Sequence, residues 1–321
     1  MISTMRDATR IPSRAVNQAR RRTLILAHRG SSSEAPENTL AAFDLALRQG
    51  ADGVEFDVRF SADDVPMVIH DARLERTTSG RGRVHELGAQ ELRRLDAGAW
   101  FNKRYPARAQ ARFRGLKIPL LAEALGWVKE RSCLAYLEIK RERDSNGRVE
   151  QKVLEAIREA RVPDRVVVIS FQPEILERLR EVDDGIALGL DCTRPLPALR
   201  RAQRAGAGVV LPLGALVTRK FVERAHAGGL QVAPWGAETP RAWQRLLEIG
   251  VDVLIINRPA ALRKLADTVA SQLQLQGGSL RPERGAVKKG APPKQIMPAP
   301  PAETPLAGSL RVAAGRARVV K

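Results

Sequence analysis

Short, continuously apolar runs recur between Leu24 and Ile256 of this 321-residue chain, and stretches with helical period separate most of them. The runs that read as strands are Leu24–His28, Gly53–Val58, Val65–His70, Leu134–Ile139, Val166–Ser170, Ile186–Leu190, Gly208–Leu211, Leu230–Ala233 and Val253–Ile256. A strand that is apolar on both faces needs cover on both, a helix layer on one side and a packed interior on the other. Helical patterns span Thr39–Gln49, Leu121–Arg131, Arg148–Arg161, Pro173–Glu181, Pro195–Ala205, Thr218–Ala227, Pro240–Ile249 and Pro259–Leu275. Four of them open at or near a proline, which suits the first helical turn, and Asn38 is the expected N-cap of the first. About eight β/α units in about 250 residues is the size of one (β/α)8 barrel, with a doubly wound open sheet as the competing architecture. The expected fold class is therefore α/β.

The ends of the chain differ from its middle. The formal net charge is +18, but +5 of it falls in residues 1–23 and +7 in residues 277–321, leaving +6 for the rest. Residues 1–22 are expected to be a disordered basic arm, 23–275 the folded domain, and 276–321 a disordered tail rich in Pro, Ala and basic residues. Such ends can touch anionic polymers, although a merely solubilising role is the simpler reading. Two cysteines, Cys133 and Cys192, are too few for a disulfide scaffold or a Cys-based zinc site, and fit a reducing compartment. No apolar run is long enough to span a membrane. The N-terminus lacks the apolar segment of a signal peptide, so the expected location is the cytoplasm. Within the domain, residues 71–118 run long without a clear β/α unit and hold Trp100, Phe101, Tyr105 and Phe113. A long ordered loop at a barrel mouth either contributes to binding or buries its own small core.

Chemistry concentrates where polar residues end or interrupt the strand runs. His28 closes LILAH, Glu55 and Asp57 lie in GVEFDV, His70 closes VPMVIH, and Glu138 and Lys140 lie in LAYLEIK. Strand residues two apart share a face, so Glu55 and Asp57 point one way, as do Glu138 and Lys140. In a barrel, polar residues at the C-terminal strand ends converge at the mouth, where reactions take place. Carboxylates roughly 7 Å apart on one strand repel unless something compensates. One divalent cation, Mg²⁺ or Ca²⁺, resolves the repulsion, since carboxylate oxygens favour hard ions. Salt bridges to some of the 54 basic residues would be the structural alternative. His28 and His70 suit a general acid/base pair. Arg29 and Lys140 bring fixed positive charge, Arg for bidentate contact with phosphate oxygens and Lys as a point charge. A cation, two imidazoles and two fixed cations describe a site for displacement at phosphorus. His85 and His226 receive no role, and Ser170 reads as structural. A P-loop signature is absent from the sequence.

At these residues the sequence resembles the glycerophosphodiester phosphodiesterases of the cytoplasmic bacterial type. His28-Arg29-Gly30 is similar to the family's HRG, Pro36-Glu37-Asn38-Thr39 to PENT, Glu55 and Asp57 to E-x-D, and His70-Asp71 to HD. Leu74-Glu75-Arg76-Thr77-Thr78 resembles L-x-RTT, Leu95–Phe101 the start of an inserted subdomain, Leu137–Lys140 the element with the third metal carboxylate, and Ser170-Phe171 the expected SF. The likeness runs from about Leu24 to Leu265. It implies a TIM-like barrel with the insertion at its mouth, and hydrolysis of glycerophosphodiesters to glycerol 3-phosphate and an alcohol such as choline or ethanolamine. It implies His28 and His70 as acid and base, Glu55, Asp57 and Glu138 as metal ligands, and Arg29 and Lys140 on phosphate, with Trp235 against the glycerol backbone. Two elements depart: the usual W-T-V-N reads Trp235-Gly236-Ala237-Glu238, and the usual T-D-x-P reads Ile256-Asn257-Arg258-Pro259. Neither is expected to touch the proposed ligands or histidines; both alter the substrate wall, so headgroup choice does not carry over.

Two other functions fit less well. A lysophospholipase D-type activity would need an apolar groove for an acyl chain, which no amphipathic surface helix supports. A polyanion-binding role has the net charge behind it, but the basic residues are terminal and not interleaved with aromatics. The expected partner is a small-molecule glycerophosphodiester, with no specific nucleic acid and no transmembrane segment, and with the oligomeric state open.

Overall fold

The computed structural model describes residues 22–140 and 147–277. The expected arm 1–22 and tail 276–321 fall almost wholly outside these residues. Among them, nine strands form one sheet: β1 Leu24–His28, β2 Gly53–Phe60, β3 Pro66–Val68, β4 Leu134–Ile139, β5 Val166–Ser170, β6 Ala187–Cys192, β7 Val209–Pro212, β8 Gln231–Val232 and β9 Val253–Ile256. Eight of them are parallel, in the order β8-β7-β6-β5-β4-β2-β1-β9. Trp235 bridges to Leu213 on one side and to Ile255 on the other, which brings the two end strands together and nearly closes the barrel. Ile255 N donates to Pro234 O at 3.1 Å and Asp252 N to Val232 O at 3.0 Å across this seam.

Strand alternation divides the apolar residues into two cores. Leu26, Tyr136, Val167, Ile169, Leu211 and Ile255 fill the barrel interior. Ile25, Val54, Phe56, Leu137, Val168 and Leu254 face outward and pack beneath the helices. This two-sided burial is why the strand runs read as continuously apolar. The expected helices are present, with ends shifted by a residue or two; the last runs Pro259–Gly277. None of the described helices is long and apolar enough to cross a membrane.

Three sequence expectations need correction. Val65–His70 is no barrel strand. Ser61 and Asp64 turn the chain tightly after β2, with Asp64 N bonded to Ser61 O at 3.0 Å, so β3 returns antiparallel along β2. His70 lies two residues beyond β3. Asn38 does not cap the helix Leu40–Arg48; the Thr39 side chain accepts from Ala42 N at 3.2 Å, freeing Asn38 for another task. Strand β6 runs to Cys192, so Asp191 stands inside it.

Within residues 71–118, Phe101 and Phe113 bury as a T-shaped pair with Ala35 and Ala42, forming a satellite core beside the loop after β1. Met67, Leu74, Val84, Leu92 and Ile118 make a second one. Tyr105 stays 37% exposed.

Gly53, at the start of β2, lies so close to β4 that a Cβ would collide with the Leu134 carbonyl. Backbone cannot yield as a flexible side chain can. Gly53→Ala is therefore expected to destabilise the barrel by about 1–3 kcal/mol, the usual cost of overpacking. Thermal denaturation of the two proteins checks this, and an unchanged midpoint would show that the β2–β4 register has slack.

Candidate active site

The parallel register sets the site. It places His28, the last residue of β1, beside Glu55 of β2, and Asp57 of β2 beside Glu138 near the end of β4. Glu55, Asp57 and Glu138 are all buried, and each offers an oxygen within 4.8 Å of the others. Lys140 Nζ lies 2.8 Å from Asp57 Oδ1 and 2.6 Å from Glu138 Oε2. The loop after β1 supplies two more partners for Asp57. Arg29 Nε stands 3.1 Å from Oδ2, and Asn38 Nδ2 donates to the same oxygen at 2.8 Å. Arg29 and Asn38 both hold positive φ (56° each). Such backbone costs on the order of 1–3 kcal/mol per non-glycine residue and gathers at functional sites. Here it aims both side chains at one carboxylate.

Two fixed cations do not neutralise three buried acids. Asp57, with Arg29 and Lys140 against it, is driven far below the carboxylate range despite burial. Burial and the Asp57 charge raise the other two, Glu138 to about 7 and Glu55 well above its ordinary value. Glu55 Oε1 is buried with no hydrogen-bond partner. A buried acceptor left unpaired costs free energy. Hard oxygen donors, an excess of negative charge and an orphaned oxygen together fit a divalent cation.

The imidazoles flank this cluster. His28 Nδ1 and Asn257 Oδ1 are 2.7 Å apart, and His28 Nε2 is 3.8 Å from Glu55 Oε2. An amide oxygen only accepts, so His28 Nδ1 carries the proton and Nε2 the lone pair. Burial and the Arg29 charge hold His28 down to about 4, so it is neutral at pH 7. His70 Nδ1 lies 2.6 Å from Asp71 Oδ1, and Arg76 grips both Asp71 and Glu37. Glu37 in turn accepts from Arg29 Nη1 at 2.8 Å. Burial lowers the His70 pKa, with Asp57 and Asp71 opposing.

A cavity of about 170 Å³ opens onto these groups. His28, Arg29, Glu55, His70, Glu138 and Lys140 line one side of it; Asp57, fully buried behind Lys140, does not. Ile169, Phe171, Asp191, Trp235 and Ile255 line the rest. Thus the eight residues singled out from the sequence lie at one mouth. Ser170 Oγ donates to Ile139 O at 2.9 Å, a strand-to-strand tie. His226 pairs with Asp252 at 2.8 Å and, like His85, does not line the cavity. Both cysteines are free and buried, with thiols pushed up to about 11 and 12.

Residues 28–261 match the model of the glycerophosphoryl diester phosphodiesterase family. The chain belongs to this family. A glycerophosphodiester phosphodiesterase of Caldanaerobacter subterraneus is 32% identical over 246 residues, covering 76% of this chain and 98% of that one. Among solved structures, a glycerophosphodiester phosphodiesterase from Agrobacterium tumefaciens is 30% identical with a TM-score of 0.66, covering 75% of this chain and 99% of that one. A phosphodiesterase from Oleispira antarctica, solved with the product sn-glycerol-3-phosphate, is 26% identical with a TM-score of 0.70, covering 77% and 97%. The chain is thus a phosphodiesterase by family, built on the family's barrel.

The two departures from the family pattern meet each other. Asn257 Nδ2 donates to Glu238 Oε1 at 2.7 Å, and Arg258 Nη2 to Glu238 O at 2.9 Å. The expectation that they touch neither histidine is wrong, because Asn257 Oδ1 holds His28 and also accepts from Ser32 Oγ at 2.9 Å. Position along the chain hid this: Asn257 is 229 residues from His28, and only closure of the barrel joins β9 to β1. Sequence reasoning also gave no role to Asp71, Glu37 and Arg76, which back His70 and Arg29, or to Asp191. The signal for the first three was present as polar residues inside the matched HD, PENT and L-x-RTT elements.

Proposed function

We propose that this protein hydrolyses glycerophosphodiesters to sn-glycerol 3-phosphate and an alcohol. The observation behind the reading is a buried carboxylate trio with an orphaned oxygen, set between two imidazoles whose Nδ1 atoms are already committed. Glu55, Asp57 and Glu138 hold one divalent cation, Mg²⁺ or Ca²⁺, which when bound supplies Lewis-acid stabilisation of charge on the phosphoryl oxygens. Arg29 and Lys140 keep the acids charged and offer N–H donors to phosphate. His28, neutral with its Nε2 lone pair free, takes a proton from the water that attacks phosphorus. His70 in its imidazolium form, backed by Asp71, delivers a proton from Nε2 to the leaving alcohol oxygen. Trp235 packs against the glycerol backbone. The small cavity suits a glycerol group better than an acylated one, which favours glycerophosphodiesters over lysolipids.

A panel of glycerophosphodiesters assayed with and without chelator, with products identified, tests the reading. Release of sn-glycerol 3-phosphate that stops with chelator is expected; turnover indifferent to chelator, or lysophosphatidylcholine as the better substrate, contradicts it.

The Asn257 contact gives a pH prediction. Asn257→Asp places a carboxylate on His28 Nδ1, which favours the charged imidazole and raises its pKa from about 4. Neutral base is then lost at higher pH, so the acid limb of the kcat/KM profile moves up. Because the new acid faces Glu238, the double variant Asn257→Asp with Glu238→Asn keeps the shift without the repulsion. An unmoved acid limb in both variants would remove His28 from the role of base.

A further inference from the structure

The cavity wall opposite the histidines carries a carboxyl group that the reaction above does not use. Asp191 lies on β6, whose register sets it against Leu211 of β7, and it is 5% exposed. Ile169, Phe171, Trp235 and Ile255 line the cavity with it. Asp191 Oδ1 is buried without a hydrogen-bond partner. The cations nearby are engaged elsewhere, Lys140 with Asp57 and Glu138, and Arg29 with Glu37 and Asp57. The Trp235 ring N–H donates to Leu211 O at 3.0 Å and also faces the Asp191 carboxyl, which leaves Oδ1 as the unmet oxygen. Asp191 is also not one of the three acids whose oxygens converge within 4.8 Å. A leucine would satisfy the barrel interior better than an acid with an unmet oxygen. The unmet acceptor therefore answers to something that enters the cavity.

Resting on the diesterase reading, we infer that Asp191 selects glycerol, by hydrogen bonding a hydroxyl of the glycerol moiety while its carbons lie against Trp235 and Phe171. The chemistry of the wall separates this from capture of a cationic headgroup. Phe171 and Trp235 meet edge-on, at 80° with centroids 5.9 Å apart, and form a flat side rather than a cage of ring faces. The unmet Asp191 oxygen accepts a hydrogen bond from a hydroxyl.

The experiment compares kcat/KM on sn-glycero-3-phosphocholine and on propyl phosphocholine, which has the same headgroup without the glycerol hydroxyls, at saturating Mg²⁺. A pocket with a buried group dedicated to a substrate hydroxyl rejects the analogue lacking it by about 10²-fold or more. The wild-type enzyme is expected to show that preference, Asp191→Leu to reduce it to within about tenfold, and Asp191→Asn, which still bonds a hydroxyl, to keep most of it. Melting curves establish that each variant folds, and Asp191→Ala serves if the leucine variant does not. Equal wild-type rates on the two diesters, an undiminished preference in the leucine or alanine variant, or a weakened Mg²⁺ affinity as the variant's only defect would each overturn the inference. A wild-type enzyme inactive on both diesters is a different result: it removes the diesterase reading, and the Asp191 inference with it.

Discussion

His70→Ala is expected to lower kcat on glycerophosphodiesters by about 10²–10⁴-fold, the usual contribution of one acid/base side chain, while leaving the melting temperature nearly unchanged. The structure explains why the two effects separate. The His70 side chain is 31% exposed at the cavity, so its removal opens no sealed core. Its partner Asp71 keeps other support, because Arg76 bonds both its oxygens and holds it down to about 2. Arg76 also bonds Glu37 at 2.7 and 2.8 Å, so the scaffold around the missing ring stays tied. Asp71→Asn gives a graded companion. It keeps the ring's position but no longer favours the imidazolium, so it should cost less than His70→Ala and lower the basic limb of the pH profile. Steady-state kinetics with thermal melts check both. A His70→Ala protein that keeps wild-type kcat removes His70 from the chemistry.

Glu55→Gln is expected to move activity and stability in opposite directions. In the metal-free protein Glu55 is a buried acid repelled by Asp57 and Glu138, and its pKa lies well above 4.5. The unfolded carboxyl releases its proton first, so stability of the metal-free wild type falls as pH rises above 4.5. Glutamine has no proton to release, and the variant should melt higher than metal-free wild type at pH 7. With cation present the order changes. A ligand at 100 times its Kd stabilises the fold by about 2.7 kcal/mol, so Mg²⁺ or Ca²⁺ should raise the wild-type melting temperature and leave Glu55→Gln almost unmoved. Turnover of the variant should fall by about 10³-fold, since Lewis-acid stabilisation is worth several kcal/mol. A variant less stable than metal-free wild type would mean that Glu55 holds a structural contact instead.

Much of this was legible because strand alternation is a rigid rule. Once GVEFDV and LAYLEIK are strands, Glu55, Asp57, Glu138 and Lys140 must share the barrel mouth, and they do. What escaped depended on turns and closure. His70 looked like a strand end because VPMVIH is apolar, yet the turn at Ser61–Asp64 folds β3 back on β2 and delivers His70 from a loop. Asn38 looked like a cap by type, but Thr39 sits one residue nearer the helix and does that work. Asp191 was missed because a polar residue was read as the end of an apolar run. Carried on by two from Gly189, the same alternation points it inward. Asn257 required knowing that β9 pairs with β1.

Calorimetric titration of Mg²⁺ or Ca²⁺ into chelator-stripped protein is the most direct trial of the carboxylate trio as a cation site. One ion should bind per chain with proton release from Glu138, and binding should be lost in Glu55→Gln. Absence of saturable binding, or an unchanged isotherm in that variant, would mean that Arg29 and Lys140 alone account for the clustered acids.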